Sequence, residues 1–333
     1  MYIDDALLQS SGDGTLLVTP FGKRKITHAF HDIDGTHSLI RDWPPVMSLT
    51  LYNVIENGLP DGYDSDENIK KLILRSGKQE LPETDRFCVE SAGLSALTQM
   101  EWSIRRAVEN GTISAAEIDM DEEALRVNSD IIKRIWAGEE LFEDIKEPVC
   151  FKNYLKLHTP KLFRVYEQIL NGACRDVNLE AARRNPEQWR VRGSVDFLET
   201  LFKMGVKNYF VTGAVIAFNE DGQPYGGMYD EVIAAGFPIG DGQLVEALHG
   251  STWDEKIPKN EVMRRLCEEE SINPENVLVI GDGRSEIAAG AEMGAVTVSV
   301  LPEEAERQRD IHINLNTNLI IPYYTKEFIG GLT

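Results

Sequence analysis

The run Phe30-His31-Asp32-Ile33-Asp34-Gly35-Thr36 puts two carboxylates two residues apart at the end of an apolar stretch. In extended chain, residues i and i+2 point to the same side, so Asp32 and Asp34 face one spot beyond the strand. Open α/β sheets bind their ligands just there, outside the carboxyl ends of their strands. Gly35 allows the sharp turn that must follow. Two carboxylates this close repel unless a cation lies between them, and Mg²⁺, a hard ion that prefers carboxylate oxygen, is the natural candidate. Taken alone, the string also reads as an Asx-rich turn closing a strand.

Three further signals follow along the chain. Tyr209-Phe210-Val211-Thr212-Gly213 ends a strand in a hydroxyl and a glycine, and a threonine O–H with nearby backbone N–H groups suits a phosphoryl oxygen. Val279-Ile280-Gly281-Asp282-Gly283-Arg284-Ser285-Glu286 ends another strand in a carboxylate, with a second acid four residues on. The other Gly-Asp-Gly triplets, at 12–14 and 240–242, follow no four-residue apolar run and read as turns. Between the second and third signals stands a lysine at the start of a helix, and Lys256 and Lys259 both qualify.

Elements must hold these groups in place. Residues 15–19 read as a strand, 20–23 as a turn and 26–32 as a second strand, after a loose lead-in of about a dozen residues. From 46 to 190 the texture is helical, with no convincing strand. Leu94, Leu97, Ile104 and Val108 recur near helical spacing, and so do apolar residues in 121–137 and 160–171. Beyond this block a helix opens with Ser194 as N-cap and ends before Gly205. A short strand at 209–211 and a Gly-rich stretch with Asp-Gly turns at 219–250 come next. Then follow a helix at 258–270, a strand at 277–280, a helix at 286–293 and a strand at 296–300. Short apolar strands alternating with helices predict an α/β fold with a parallel sheet covered on both faces.

In this order, D-x-D-G-T, apolar-Thr-Gly, Lys and apolar-Gly-Asp-x-x-x-acid, the chain resembles the haloacid dehalogenase (HAD) superfamily over 24–45 and 190–325. Residues 191–194, leading to Thr212, and the closing run Ile320-Ile321-Pro322 resemble that family as well. The resemblance implies a Rossmann-like three-layer core over 15–45 and 190–333, with a mostly helical cap at 46–189. It implies Asp32 as the nucleophile that forms an aspartyl-phosphate, and Asp34 as general acid and then general base. Mg²⁺ would be held by Asp32, the Asp34 carbonyl and Asp282, with Glu286 reaching it through water. Thr212, Gly213 and Thr36 would hold the phosphoryl group, and Lys259 or Lys256 would neutralise it. Two features depart from the family's usual pattern: the fourth motif ends in Glu286, not Asp, and the lysine stretch reads Lys256-Ile257-Pro258-Lys259, not Lys-Pro. The two lysines lie 26 and 23 positions before Asp282, and Lys259 is slightly favoured. An Asp at position 34 supplies the proton that an alkoxide leaving group needs. The expected function is therefore hydrolysis of a small phosphorylated metabolite. Phosphotransfer or mutase chemistry comes second, and binding of a phospho-ligand without turnover third.

Composition limits the partners. A net charge of −21 over 333 residues argues against nucleic acid and against an anionic membrane surface. Four dispersed cysteines, with no C-x-x-C pair, predict neither structural zinc nor a disulfide framework. The acidic N-terminus lacks a signal-peptide pattern, and no apolar run is long enough to span a bilayer, so a soluble cytoplasmic monomer or homodimer is expected. His28 and His31 face opposite sides of their strand, while His37, past the nucleophile, is a minor candidate for touching substrate. Arg175, Arg183, Arg184, Arg190 and Arg192 form either an anion-attracting patch or, more simply, a solvated helix paired with Glu180 and Glu187.

Overall fold

The computed structural model describes residues 1–8, 13–91, 93–253 and 255–333. The chain divides into two compact units. One comprises residues 1–40, 180–252 and 257–333; the other comprises 41–179 and 253–256.

The first unit is built on a sheet. Its strands are β1 (Tyr2–Asp4), β2 (Leu16–Leu17), β3 (Lys23–Lys25), β4 (His28–His31), β5 (Lys207–Val215), β6 (Ala217–Phe218), β7 (Pro224–Tyr225), β8 (Ala247–Ser251), β9 (Val277–Gly281), β10 (Val296–Val300) and β11 (Leu319–Ile321). The seven-stranded sheet runs β2-β11-β10-β9-β4-β5-β8, parallel except for the antiparallel edge strand β2. From β4 the chain proceeds outward through β5 to β8, then returns to β9 on the other side of β4. This reversal of strand order is the switch point at which doubly wound sheets open a crevice.

Alternate residues of the central strands feed two different cores. Ala29, Leu278, Ile280 and Val298 are fully buried with Phe197 and Leu201 of the helix Ser194–Lys203 and with Phe328. Phe30, Val277 and Val279 are buried with Val262, Met263 and Leu266 of the helix Lys259–Glu269 and with Ala289 of the helix Arg284–Met293. Each of the larger side chains among these contributes about 1.5–3 kcal/mol on burial. Helices on both faces of a parallel sheet make this an α/β Rossmann-like fold.

The second unit is helical. It contains Trp43–Asn57, Asp66–Arg75, Pro82–Glu90, Ala96–Glu109, Glu122–Ala137 and Val149–Leu170, and no strand among its described residues. Ser65, Ser95 and Asp121 cap three of these helices by accepting backbone N–H groups. Phe87 stacks on Trp102 with ring centroids 3.7 Å apart, and Trp136 meets both edge-on. Residues 253–256, which lie far along the sheet unit's sequence, also belong here.

Several local expectations are corrected. Residues 2–8 are not loose: β1 pairs with β3, and Ile3 and Leu8 are buried. The rest of the expected lead-in, at 9–12, lies outside the described residues, as does Gly12 of the first Gly-Asp-Gly triplet. Ser194 is not the N-cap. Gly193 is, at φ 78°, because a Cβ there would lie 2.1 Å from the Tyr324 carbonyl oxygen. Ser194 instead donates its hydroxyl to the His37 carbonyl. The strand expected at 209–211 runs on to Val215, and the Gly-rich stretch hides the helix Gly227–Ala234 and β8.

Candidate active site

β4 lies between β5 and β9, with His31 level with Phe210 and Ile280. Asp32 and Asp282, just past β4 and β9, are therefore neighbours of Thr212, which lies within β5 two residues beyond Phe210. The Asp32 N–H donates to the Ile280 carbonyl at 2.8 Å, which extends the ladder by one bond and fixes the Asp32 backbone. The ladder between β5 and β8 slips between Val211 and Val215, so Thr212, Gly213 and Ala214 bulge out of register. The Thr212 hydroxyl oxygen accepts the Ala214 N–H at 3.1 Å, which leaves its own proton free to donate.

Lys259 opens its helix and is buried, 3% exposed. Its ammonium donates to Asp32 Oδ1 at 2.6 Å and to Glu286 Oε2 at 3.0 Å. Oxygens of Asp32, Asp282 and Glu286 all lie within 4.8 Å of one another. Three acids and one lysine leave negative charge in excess, and the proton affinities record it. Burial, then the neighbouring Asp32, Glu286 and Asp34, push the Asp282 carboxyl well above its usual range. Burial also raises Asp32, with Lys259 pulling against it. Burial opposes the charge on Glu286, but Lys259 outweighs it and keeps this carboxyl below its usual range. Burial likewise works against the Lys259 charge, and Asp32 and Glu286 more than offset it.

Glycine makes the crowding possible. Gly35 sits at φ +79°, and a Cβ there would fall 2.1 Å from Asp282 Oδ2. The fourth position of the D-x-D-G string is therefore reserved for close approach as well as for the turn.

The remaining expected residues are placed as follows. Asp34 is half-buried, and its Oδ1 accepts the Ile40 N–H at 2.8 Å. Thr36 is buried, and its hydroxyl is committed to Asp282 Oδ1 at 3.1 Å, which makes it a support for that carboxylate in place of a phosphate ligand. Glu286 accepts the Gly283 N–H, the Ser285 hydroxyl and Lys259, so it closes its helix start and holds the lysine. Lys256 is not among the groups around Asp32; its ammonium binds Glu101 Oε2 at 3.0 Å and the Glu140 carbonyl in the helical unit.

His37 does not face solvent or substrate. It is fully buried, stacked on Tyr324, and its Nε2 meets His31 Nδ1 at 2.9 Å and the Tyr324 hydroxyl at 3.2 Å. His31 Nε2 reaches Asn208 Oδ1 at 3.1 Å. Burial lowers His31 to about 3 and His37 well below its usual value, so both rings are neutral supports beneath the Asp32 strand. Sequence reading passed over Asn208 and Tyr324; a lone Asn entering the apolar run of β5 was the available signal. The arginine run is not one free patch. Arg175 binds Glu167, Arg184 binds Glu180, Arg190 donates to the Ala235 carbonyl, and Arg192 lies over the Tyr323 ring.

The donor set fits a hard divalent cation. Asp32 and Asp282 offer carboxylate oxygens at adjacent strand ends, with Glu286 beside them, all within 4.8 Å of one another.

Fold and site together define a doubly wound α/β protein with acid and lysine groups at its switch point. Residues 257–326, which carry Lys259, Asp282 and Glu286, match the family described as HAD-hydrolase-like. Over those residues the chain is similar to the HAD-like hydrolases. No curated protein sequence matches significantly. Among solved structures, the β-phosphoglucomutase of Clostridium difficile is similar at 13% identity and TM-score 0.45, over 92% of this chain and 96% of that one. A phosphonoacetaldehyde hydrolase-like protein from Oleispira antarctica is similar at 15% identity and TM-score 0.44, over 89% and 87%. A HAD-hydrolase of Bacillus subtilis, described as bound to magnesium, is similar at 16% identity and TM-score 0.33, over 84% and 91%.

Proposed function

We propose that the protein is a Mg²⁺-dependent phosphatase that hydrolyses a phosphomonoester of a small metabolite through an aspartyl-phosphate. The observation that carries this reading is the junction of Lys259 with Asp32, beside Asp282 and Glu286, at neighbouring strand ends. Asp32 and Asp282, with the Asp34 backbone carbonyl, would hold the cation. When bound, it would offset charge on the phosphoryl oxygens.

Lys259 holds Asp32 ionised and aimed, and Glu286 holds Lys259. The Asp32 carboxylate attacks phosphorus, forming an O–P bond as the bond to the leaving oxygen breaks. Asp34 gives its proton to that oxygen. It then takes a proton from water, which attacks the same phosphorus and breaks the Asp32–phosphate bond, releasing inorganic phosphate. The Thr212 hydroxyl and the bulged backbone at Gly213 would donate to the phosphoryl oxygens throughout. The helical unit enters the chain between the strands that bear Asp32 and Thr212, and we assign to it the choice of leaving group, as a cap.

Phosphate release from an aryl phosphate, measured with and without Mg²⁺, tests this reading. Release should require the metal and vanish in Asp32→Asn. Full turnover by Asp32→Asn would overturn it.

A further inference from the structure

His31 and His37 bracket the loop that carries Asp32, Asp34, Gly35 and Thr36. Their rings meet at its base, His37 Nε2 to His31 Nδ1 at 2.9 Å, and neither is exposed. The bond therefore ties the two ends of the loop together. Both ends are also held to their surroundings. His31 Nε2 reaches Asn208 Oδ1 at 3.1 Å, on β5, the strand that carries Thr212. The His37 N–H donates to the Ile33 carbonyl at 2.8 Å, and the His37 carbonyl accepts the Val191 N–H and the Ser194 hydroxyl.

The partners fix the direction of each proton. Asn208 Nδ2 donates to the Leu244 carbonyl at 3.0 Å and to the Leu198 carbonyl at 3.4 Å, which turns its Oδ1 toward His31. An amide oxygen only accepts, so His31 Nε2 carries the proton. Both rings lie among Phe197 and Phe210, and no carboxylate binds either of them among the described residues. A buried cation without a counter-charge is costly, so both rings are neutral. His31 Nδ1 is then bare and accepts, which makes His37 Nε2 the donor between the rings. His37 Nδ1 is bare in turn, and it has no partner among the described residues. Buried acceptors go unpaired more often than buried N–H donors. The opposite tautomer fails, because a bare His31 Nε2 would set its lone pair against the Asn208 oxygen. Tyr324 Oη, 3.2 Å from His37 Nε2, is a second acceptor for the same proton, and the tyrosine ring stacks on His37.

We propose that His31 and His37, anchored by Asn208 and Tyr324, are positioning residues: a one-way chain of hydrogen bonds that clasps the loop 32–36 and sets the aim of Asp32. The kinetic consequence rests on the hydrolysis reading; the clasp itself does not. Asp32 follows His31 directly, so a strand end that swings carries the nucleophile with it. A misplacement of about 1 Å can cost roughly 10²-fold in rate. The chain moves no proton during turnover and acts only through the loop that it closes.

The test joins NMR of the full chain in EDTA with kinetics on an aryl phosphate and Mg²⁺. Nitrogen-15 spectra of histidine-labelled protein should show both rings protonated at Nε2 and bare at Nδ1. Three variants follow: His31→Leu, which offers neither donor nor acceptor, His31→Gln, which offers both, and His37→Phe, which keeps a stacked ring. His31→Leu and His37→Phe should speed hydrogen exchange at the amides of 36, 37 and 38, all bonded to the Ile33 carbonyl, and leave the β10 amides as in the parent. Each should lower kcat roughly 10²-fold with KM changed by less than about twofold. His31→Gln should restore most of the rate and of the amide protection. Tyr324→Phe, which removes only the longer branch, should lower kcat less than either. Where His31→Leu does not fold, His37→Phe makes the same measurement. An inert parent would sink the hydrolysis reading alone, and the tautomers and amide exchange then decide the clasp. The proposal is overturned if either ring carries its proton on Nδ1, or if exchange rises equally in β10. It is also overturned if an active enzyme keeps its kcat with the clasp broken, or if His31→Gln behaves as His31→Leu.

Discussion

Two buried charge clusters in this chain are built to opposite specifications. In the helical unit, Glu101 and Glu147 are matched by Arg105 and Lys256, and every Coulombic demand is met inside the protein. In the sheet unit, Asp32, Asp282 and Glu286 share one lysine. The balanced cluster lowers Glu101 to about 2: burial pushes that carboxyl up, and Lys256 and Arg105 more than offset it. The unbalanced cluster raises Asp282 well above its usual range. Burial is common to both. What differs is the count of compensating charges; in the reading proposed above, the first cluster serves stability and the second would take a cation.

The contrast can be broken at several points. Lys259→Met removes the base that binds Asp32 and Glu286 and should lower phosphate release by roughly 10³-fold. Initial-rate measurements with an aryl phosphate check it, and near-normal turnover would show that the lysine is structural. Arg105→Met leaves Glu101 and Glu147 facing each other in a buried place, and should cost about 3–5 kcal/mol in denaturant unfolding. A loss below 1 kcal/mol would mean that the cluster is hydrated.

Acid should find the balanced cluster as well. The Glu101 carboxyl is lowered in the folded state, so its contribution is complete above the unfolded value near 4.5 and is lost as pH falls through about 2. This is on the order of 3 kcal/mol, visible as a falling melting temperature in that window and absent from Glu101→Gln. Asp282 has the opposite sign, because a carboxyl raised by folding destabilises the folded state where it is ionised. Asp282→Asn should therefore raise the melting temperature in EDTA by a few degrees, about 1–2 kcal/mol, and should remove most of the stabilisation that Mg²⁺ gives the parent.

Much of the sheet unit was legible because its strands are short, apolar and each closed by a chemical residue. β4 and β9 end next to Asp32 and Asp282, and the apolar run of β5 leads into Thr212, so a short apolar run closed by a polar residue is a strong local signal. β8 was not legible: Ala247–Ser251 carries one large apolar residue, and its strand state comes from pairing with β5. The helix Trp43–Asn57 escaped for a different reason. Val46 through Leu51 are all buried, so it has no polar face to set a period against. Lys256 and Lys259 could not be separated by spacing. The fold separates them, with Pro258 fixing the helix start and Lys259 on its first, buried turn. The role of Gly35 in admitting Asp282 has no local signal at all, because the two residues are 247 positions apart and meet only through sheet pairing.

The central claim is that Asp32 becomes covalently phosphorylated, and an acid-quenched single turnover tests it most directly. Protein mixed with Mg²⁺ and an aryl phosphate is quenched within milliseconds, digested and mapped by mass spectrometry. A phosphoryl adduct should appear on the peptide containing Asp32, decay as phosphate is released, and be absent from Asp32→Asn and from metal-free samples. Phosphate release with no adduct, continuing in Asp32→Asn, would contradict the account.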